Sequence, residues 1–481
     1  MISLTEDCIY HVLQKLKEDR EKLFNFLFVN RYFCKTVVPL LYSNPFGQEL
    51  NHQNECFLIN TFLKRLDAEE KNYLRKVNIN LSDETERTLF EYETYLEKLS
   101  LNDLTGSIRI WLMSRINEEE VSFVDQKPRS TIQMRLGDLK LCLFTGFFDK
   151  IREHSLLEFL NTISKTCRHI TELGVIIDEQ FDKGKFPSYI INIINNQNNL
   201  LKFTLSEPRY IGSKIVLSLE SQRNSLTSIQ LDFVHLCHDH ISVLANCSNL
   251  KNLRLYYCGG MTLDHCNLIL VKSICKVENL TMARNRWSKD ITISIISTLG
   301  RSLRRLSFDQ ISSETLESII AYCPNLKVLE IQFGKFDYLL LKRMKIDHLI
   351  IHPIFDLSLD FKELLQDLGR GLPTTIKHFS FITHNPLSSD NLEIFLDNIN
   401  SCLVSLNFYF EMNDNLLKII LNYILEKKSL KYLGIKKFIS LETSMYSLDD
   451  ELIRKIRDLG VNIFFFEKNY ESEDEFYNLM A

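Results

Sequence analysis

Histidine and cysteine are the residues of this chain whose spacing could carry chemistry. His348 and His352 stand four apart, which on a helix would let two imidazoles share one metal ion. The apolar positions around them, Ile346, Leu349 and Ile351, alternate as in a strand, which sets the rings roughly 13 Å apart and excludes a shared ion. His348 and His378 hold equivalent positions of successive strands, roughly 5 Å apart, the placement of a pH-sensitive pair. The segment His235-Leu-Cys237-His238-Asp-His240 is dense in ligand types. It lacks a second cysteine pair and reads as a solvated strand-to-helix connection. The sequence holds no glycine-rich phosphate loop, no Gly-x-Ser-x-Gly elbow, no His-Glu-x-x-His and no dinucleotide fingerprint. No metal, no cofactor and no catalytic residue is expected, so the chemistry left to the chain is recognition.

The elements that must position such residues are legible as a repeat. An apolar-x-x-apolar-x-apolar signature runs through Ile170/Leu173/Val175, Leu200/Phe203/Leu205, Leu226/Ile229/Leu231, Leu250/Leu253/Leu255, Val277/Leu280/Met282 and Leu303/Leu306/Phe308. It continues through Leu326/Leu329/Ile331, Ile346/Leu349/Ile351, Ile376/Phe379/Phe381, Leu403/Leu406/Phe408, Leu430/Leu433/Ile435 and, more loosely, Val461/Phe464/Phe466. The period is roughly 26 residues. The last two apolar positions of each unit share one face of a strand, and the residue between them faces away. Helical patterns follow: Leu316, Ile319, Ile320 and Cys323 behind Ser313, and Leu392, Phe395, Leu396 and Ile399 behind Ser389, each serine placed as an N-cap. One strand and one helix cannot bury their apolar faces alone, so the repeats must stack. The expected fold is an α/β leucine-rich-repeat solenoid, with parallel strands inside a horseshoe and helices outside. Cys167, Cys247 and Cys323 each precede the first apolar position by three residues, with Cys275 one residue out of register, and in this register the repeats resemble the cysteine-containing class. Such thiols are expected to pack inside the bend, not to form disulfides.

A net charge of -5 and a pI near 6.2 argue against a nucleic-acid partner. Glu6 and Asp7 stand where a signal peptide would carry positive charge, and no apolar run approaches ~18 residues. A cytoplasmic or nuclear location without a membrane partner is expected.

The first 45 residues do not follow the repeat. Ile9, Val12, Leu13 and Leu16 make one helical face; a second apolar run covers Leu23 to Val29; Asn30 can cap a third helix carrying Phe33, Val37, Leu40 and Leu41, with Pro39 inside it. The run Leu4-Thr5-Glu-Asp-Cys-Ile9-Tyr-His-Val-Leu13-Gln-Lys-Leu16, then Leu23, then Phe26-Leu-Phe-Val29-Asn-Arg31-Tyr-Phe33, resembles an F-box. It departs from the usual pattern at Thr5, where proline is commonest, and carries Phe33 at a frequent tryptophan position. An F-box followed by such repeats is similar to the substrate-recognition subunits of SCF-type cullin-RING ubiquitin ligases. The resemblance implies docking on a Skp-type adaptor and through it a cullin, and a non-catalytic role. Leu4, Thr5, Ile9, Leu13, Leu16, Val29 and Phe33 would form the adaptor face or its immediate support.

The expected organisation is an F-box over 1–45, a linker with degraded leading repeats over 46–165, the solenoid over 166–466 and an acidic tail over 467–481. Within the second segment Leu74/Val77/Ile79, Leu96/Leu99/Leu101 and Leu136/Leu139/Leu141 fit the signature at uneven spacing. A protein substrate would meet the concave strand face, where the outward residues are Arg254, Tyr256, Arg305, Asp309, Glu330 and Gln332, then His348, His352, His378, Tyr409, Tyr432 and Lys436. The alternative is a repeat scaffold without a ligase role whose N-terminal helices merely cap the solenoid. A GTPase-activating horseshoe would need an exposed catalytic arginine, for which Arg284 and Arg286 are the nearest positions.

Overall fold

The computed structural model describes residues 6–17, 19–46, 52–64, 89–100, isolated positions between 103 and 114, 160–161, 163–177, 186–206, 213–272, 276–309, 311–333, 336–353, 361–382, 387–436 and 448–466. The chain forms two compact units, one of Met1–Leu250 with Cys258–Gly260 and one of Lys251–Tyr257 with Met261–Ala481.

The first unit opens with helices α1 (Glu6–Lys15), α2 (Arg20–Phe26), α3 (Arg31–Tyr42) and α4 (His52–Leu63). Asp19 caps α2 by accepting from the Lys22 N–H, and Asn30 caps α3 by accepting from the Phe33 N–H at 3.0 Å. Helix α3 runs on through Pro39 to Tyr42. Strands β1 (Lys98–Ser100), β2 (Glu172–Ile176), β3 (Lys202–Ser206) and β4 (Ser228–Asp232) follow, parallel and in sequence order, with helices α5 (Phe186–Asn195), α6 (Ser213–Ser218) and α7 (His238–Asn246). Of the leading signatures, Leu96/Leu99 yields β1, paired with β2; Leu74/Val77/Ile79 and Leu136/Leu139/Leu141 lie outside the described residues.

The second unit repeats the pattern through β5 (Asn252–Tyr256), β6 (Asn279–Ala283), β7 (Arg305–Phe308), β8 (Val328–Phe333), β9 (His348–Pro353), β10 (His378–Phe381), β11 (Ser405–Glu411), β12 (Tyr432–Lys436) and β13 (Asn462–Phe466). Helices α8 (Leu263–Lys272), α9 (Lys289–Leu299), α10 (Ser313–Tyr322), α11 (Phe361–Gly371), α12 (Ser389–Asp397), α13 (Asp414–Lys427) and α14 (Asp450–Asp458) return the chain, and a 3-10 turn over Tyr338–Arg343 replaces a helix between β8 and β9. Each strand pairs in parallel with its sequence neighbour. No helix among the described residues is long and apolar enough to cross a membrane.

The signature side chains from Ile170 to Ile435 are buried, as a face packed between strands and helices requires. The last repeat corrects the expected register: Leu433 and Ile435 pair with Ile463 and Phe465, so Phe464 faces the other side, opposite Gly434. A single-residue slip of this kind exchanges the two faces of a strand. The helix caps also shift by one. Ser312 and Ser388, not Ser313 and Ser389, accept from the third-position N–H groups of α10 and α12.

At the bends, Cys167, Cys247 and Cys323 are buried, and burial pushes the Cys247 and Cys323 thiols up to about 12. Cys275 lies outside the described residues. Where the thiol is missing, a buried glutamine takes over. Gln197 accepts from the Ile170 N–H and donates to the Cys167 and Ile193 carbonyls; Gln222 does the same for Leu200, Gln197 and Ile194. At Gly300 even a methyl group would lie 2.6 Å from the Ile296 and Tyr322 carbonyls.

Candidate protein-interaction surfaces

The N-terminal module is built around Leu13, Leu23, Val37, Leu40 and Leu41, with Ile9, Leu16, Phe26, Leu27, Phe33 and Tyr42 packed against them. Leu13, expected on the adaptor face or just beneath it, is inside this core and can act only as support. Ile9, Leu16 and Phe33 are half-buried on its margin, while Val29 is exposed; Leu4 and Thr5 lie outside the described residues. The core leaves a second apolar set outside. Phe28 is 76% and Val29 55% exposed, and Tyr10, Val12 and Phe24 are also open to solvent. Phe24 and Phe28 meet edge to face at 5.4 Å. The sequence contained the signal for these, since a run apolar on nearly every residue from Leu23 to Val29 cannot point all its side chains into one small core.

The module is also tied to the first strand. In the repeats one carbonyl accepts from two successive N–H groups of the next strand: Glu97 from Thr171 and Glu172, and Lys377 from Val404 and Ser405. The Ser43 carbonyl, at the end of α3, accepts from Glu97 and Lys98 at 2.9 Å each. It therefore stands where a preceding strand would. Lys17 adds an ion pair to Glu97 at 2.7 Å. An open cleft of about 640 Å³ lies alongside, lined by Lys35, Arg168 and His169 among others.

On the second unit, the strand face turned away from the helices carries the expected recognition residues, but several are committed to one another. Arg305 pairs with Glu330 at 3.0 Å, and the His352 ring meets the other Glu330 oxygen at 2.9 Å. Burial would raise the Glu330 carboxyl, but the His352 hydrogen bond and the His352 and Arg305 charges outweigh it and hold it well below the usual carboxylate range. His348 is buried, contrary to its expected role as a surface contact, and its Nε2 meets Ser380 Oγ at 3.0 Å. Asn407 donates to the same hydroxyl, and Ser405 donates to Asn407, extending a polar chain across β9, β10 and β11. Burial, then the His378 and Arg305 charges, push His348 down to about 3. The expected histidine pair is present: His348 and His378 are register partners with ring centroids 5.7 Å apart.

Tyr409 is likewise buried, because a register shift between Phe408 and Glu411 turns it out of alternation. Gln332, Asp309, Tyr432 and Lys436 remain partly exposed, and the Tyr432 ring meets Phe464 at a tilt, with centroids 6.0 Å apart. Arg254 lies over the Tyr256 ring at 5.4 Å.

Among the described residues no group of three or more His, Cys, Asp or Glu side chains is placed to hold a metal ion. The segment expected to be a solvated loop at 235–240 is a structured cap. His240 is buried, its Nδ1 accepting from the Cys237 N–H at 3.4 Å at the start of α7. Thr262 and His265 repeat that arrangement before α8. His235 bridges to Gly259, and its ring leaves no room for a side chain at Gly260.

No protein-family model matches the chain, and no curated protein matches it. Solved structures do. A leucine-rich repeat-containing protein, LegL7 of Legionella pneumophila, is 16% identical over 56% of this chain and 91% of its own, with a TM-score of 0.42. A structure of the Rad7 and Elc1 complex in yeast is 13% identical over 76% of this chain and 96% of the matched one, with a TM-score of 0.35. The parallel strand ladder of each unit, with one strand and one return segment per repeat, makes this chain an α/β leucine-rich-repeat solenoid.

Proposed function

We propose that this chain is the substrate-recognition subunit of an SCF-type cullin-RING E3 ubiquitin ligase, acting without catalysis of its own in the cytoplasm, the nucleus or both. The N-terminal helices dock a Skp-type adaptor and through it a cullin, and the strand face of the repeats holds a protein substrate. Its contribution to ubiquitin transfer is proximity and orientation. The observation that carries the reading is the exposed apolar set Tyr10, Val12, Phe24, Phe28 and Val29. A module that only capped the repeats would keep its outer face polar, whereas clustered exposed aromatic groups are the makings of an interface.

The second reading, a scaffold whose N-terminal helices are a cap, is favoured by the Ser43 carbonyl standing in for a strand. The two roles use different atoms and are separable. Phe28 and Val29 lie outside the core of the module, Phe28 against the exposed Phe24 ring, so Phe28→Asp and Val29→Asp should leave the fold in place with a nearly unchanged thermal midpoint. Each should cost about 2 kcal/mol of adaptor affinity, roughly thirtyfold. The test is copurification of the full chain and these variants with a Skp-type adaptor and cullin. Capture by the native chain, lost in the folded variants, supports the ligase reading. Failure of the folded native chain to capture the adaptor refutes it and leaves the scaffold. Deleting residues 1–45 would not discriminate, because it also strips β1 of its Ser43 partner.

A further inference from the structure

The rim of β5, β6 and β7 in the second unit carries a feature that the shared repeat does not require. Arg254 lies over Tyr256 at 5.4 Å, Tyr256 meets Tyr257 edge to face at 4.8 Å, and Arg284 lies over Tyr257 at 5.6 Å while donating to its hydroxyl at 2.7 Å. The result is a continuous ladder of two guanidiniums and two phenol rings. Two of its members are bought at a steric cost. Tyr257 and Arg284 each follow a strand directly and have φ of 51° and 55°, in the left-handed region where glycine fits without penalty, as does Phe233 after β4 with φ of 61°, so the conformation belongs to the repeat and the ladder to the side chains placed on it.

Charge points the same way. Among the described residues neither guanidinium forms an ion pair, and Arg254 Nε is buried without an acceptor. The acidic groups of this face are used internally: Glu330 by Arg305 and His352, and Asp309 by the Arg284 backbone N–H, its charge also acting on the Arg284 guanidinium. Contact with a tyrosine ring, and for Arg284 the hydrogen bond to the Tyr257 hydroxyl, restrains each guanidinium before a carboxylate arrives. A nucleic acid would require many more cations than two, and the chain as a whole carries -5.

We infer that this arginine–tyrosine ladder is a binding site for an unmodified acidic peptide segment of a protein partner, its Asp or Glu carboxylates seated on Arg254 and Arg284. The inference rests on the reading of this strand face as the recognition surface and names the chemistry of what it recognises.

The test is an array of short peptides rich in Asp and Glu, each beside its Asn/Gln counterpart, probed with the full chain at low salt, with fluorescence anisotropy on the peptides retained. A subset of acidic peptides should bind and their amide counterparts should not. Arg254→Gln and Arg284→Gly should each weaken binding at least about tenfold, through loss of one guanidinium–carboxylate contact. Arg284→Gly should keep or raise the thermal midpoint, since glycine relieves the left-handed backbone. A purely structural arginine would show the opposite pattern. The inference is overturned if no peptide is retained, if amide counterparts bind equally, if both variants bind as the native chain does, or if a single-stranded oligonucleotide binds as tightly. Adaptor capture on the same preparations separates the two ideas. Capture without peptide binding sinks this inference alone, and peptide binding without capture sinks the ligase reading while the site stands.

Discussion

Acidification from pH 7 to pH 5 should weaken the second unit through His348. This ring is buried against Ser380 and faces His378 and Arg305, whose charges oppose its protonation, and Glu330, whose charge favours it. Its folded pKa of about 3 lies below the ordinary 6.5, so below 6.5 the unfolded chain takes up a proton that the folded one refuses. Stability is therefore unaffected above about 6.5 and falls as the pH drops from there toward 3. At pH 5 the loss is about 2 kcal/mol. Glu330 adds little in this window; its carboxyl is held below the ordinary 4.5, so the stability it contributes fades as the pH falls below about 4.5. The assay is urea denaturation at pH 7, 6 and 5 followed by tryptophan fluorescence. The chain has two tryptophans, and Trp287 lies in the second unit, so a Trp111→Phe background isolates its signal. His348→Gln should flatten most of the pH dependence, leaving the smaller part due to His378, whose burial also lowers its pKa. A native unit equally stable at pH 7 and pH 5, or a variant as pH-sensitive as the native chain, would refute the reasoning.

Two further outcomes test the bends and turns. Alkylation read by mass spectrometry should label Cys8 and Cys402, which are exposed, and spare Cys167, Cys247 and Cys323 until the chain is unfolded. Lys428, which ends α13 at a φ of 54°, should gain about 0.5–1 kcal/mol on replacement by glycine. Gly260→Ala should do the reverse and cost several kcal/mol, roughly 3 or more: its φ is +78°, and the added carbon would fall 2.2 Å from the Leu236 carbonyl. Thermal and urea midpoints of the two variants check both signs.

What the sequence determined by itself was the periodic part of this protein. Strand positions, the direction of Leu253 or Leu329 into the core and the burial of the bend cysteines follow from spacing and hydropathy, because an alternating apolar pattern has one way to bury itself in a parallel ladder. The helix caps were legible to within one residue for the same reason. Only tertiary structure decided which outward residues are available. Glu330, Arg305 and His352 read as three surface contacts and are one mutually satisfied cluster, and His348 reads as exposed yet is buried, because strands a few ångströms apart cover each other's side chains. The slip at β13 and the bulge at Tyr409 were hidden too, since Phe464, Phe465 and Phe466 satisfy either register by hydropathy alone. The division of labour in the N-terminal helices, with Leu13 inside, Phe28 outside and Ser43 on the strand edge, depends on how three short helices pack. The arginine–tyrosine ladder rests on left-handed backbone at Tyr257 and Arg284, shared by Phe233 at the same step after its strand, and nothing in a phenylalanine, tyrosine or arginine marks it for positive φ.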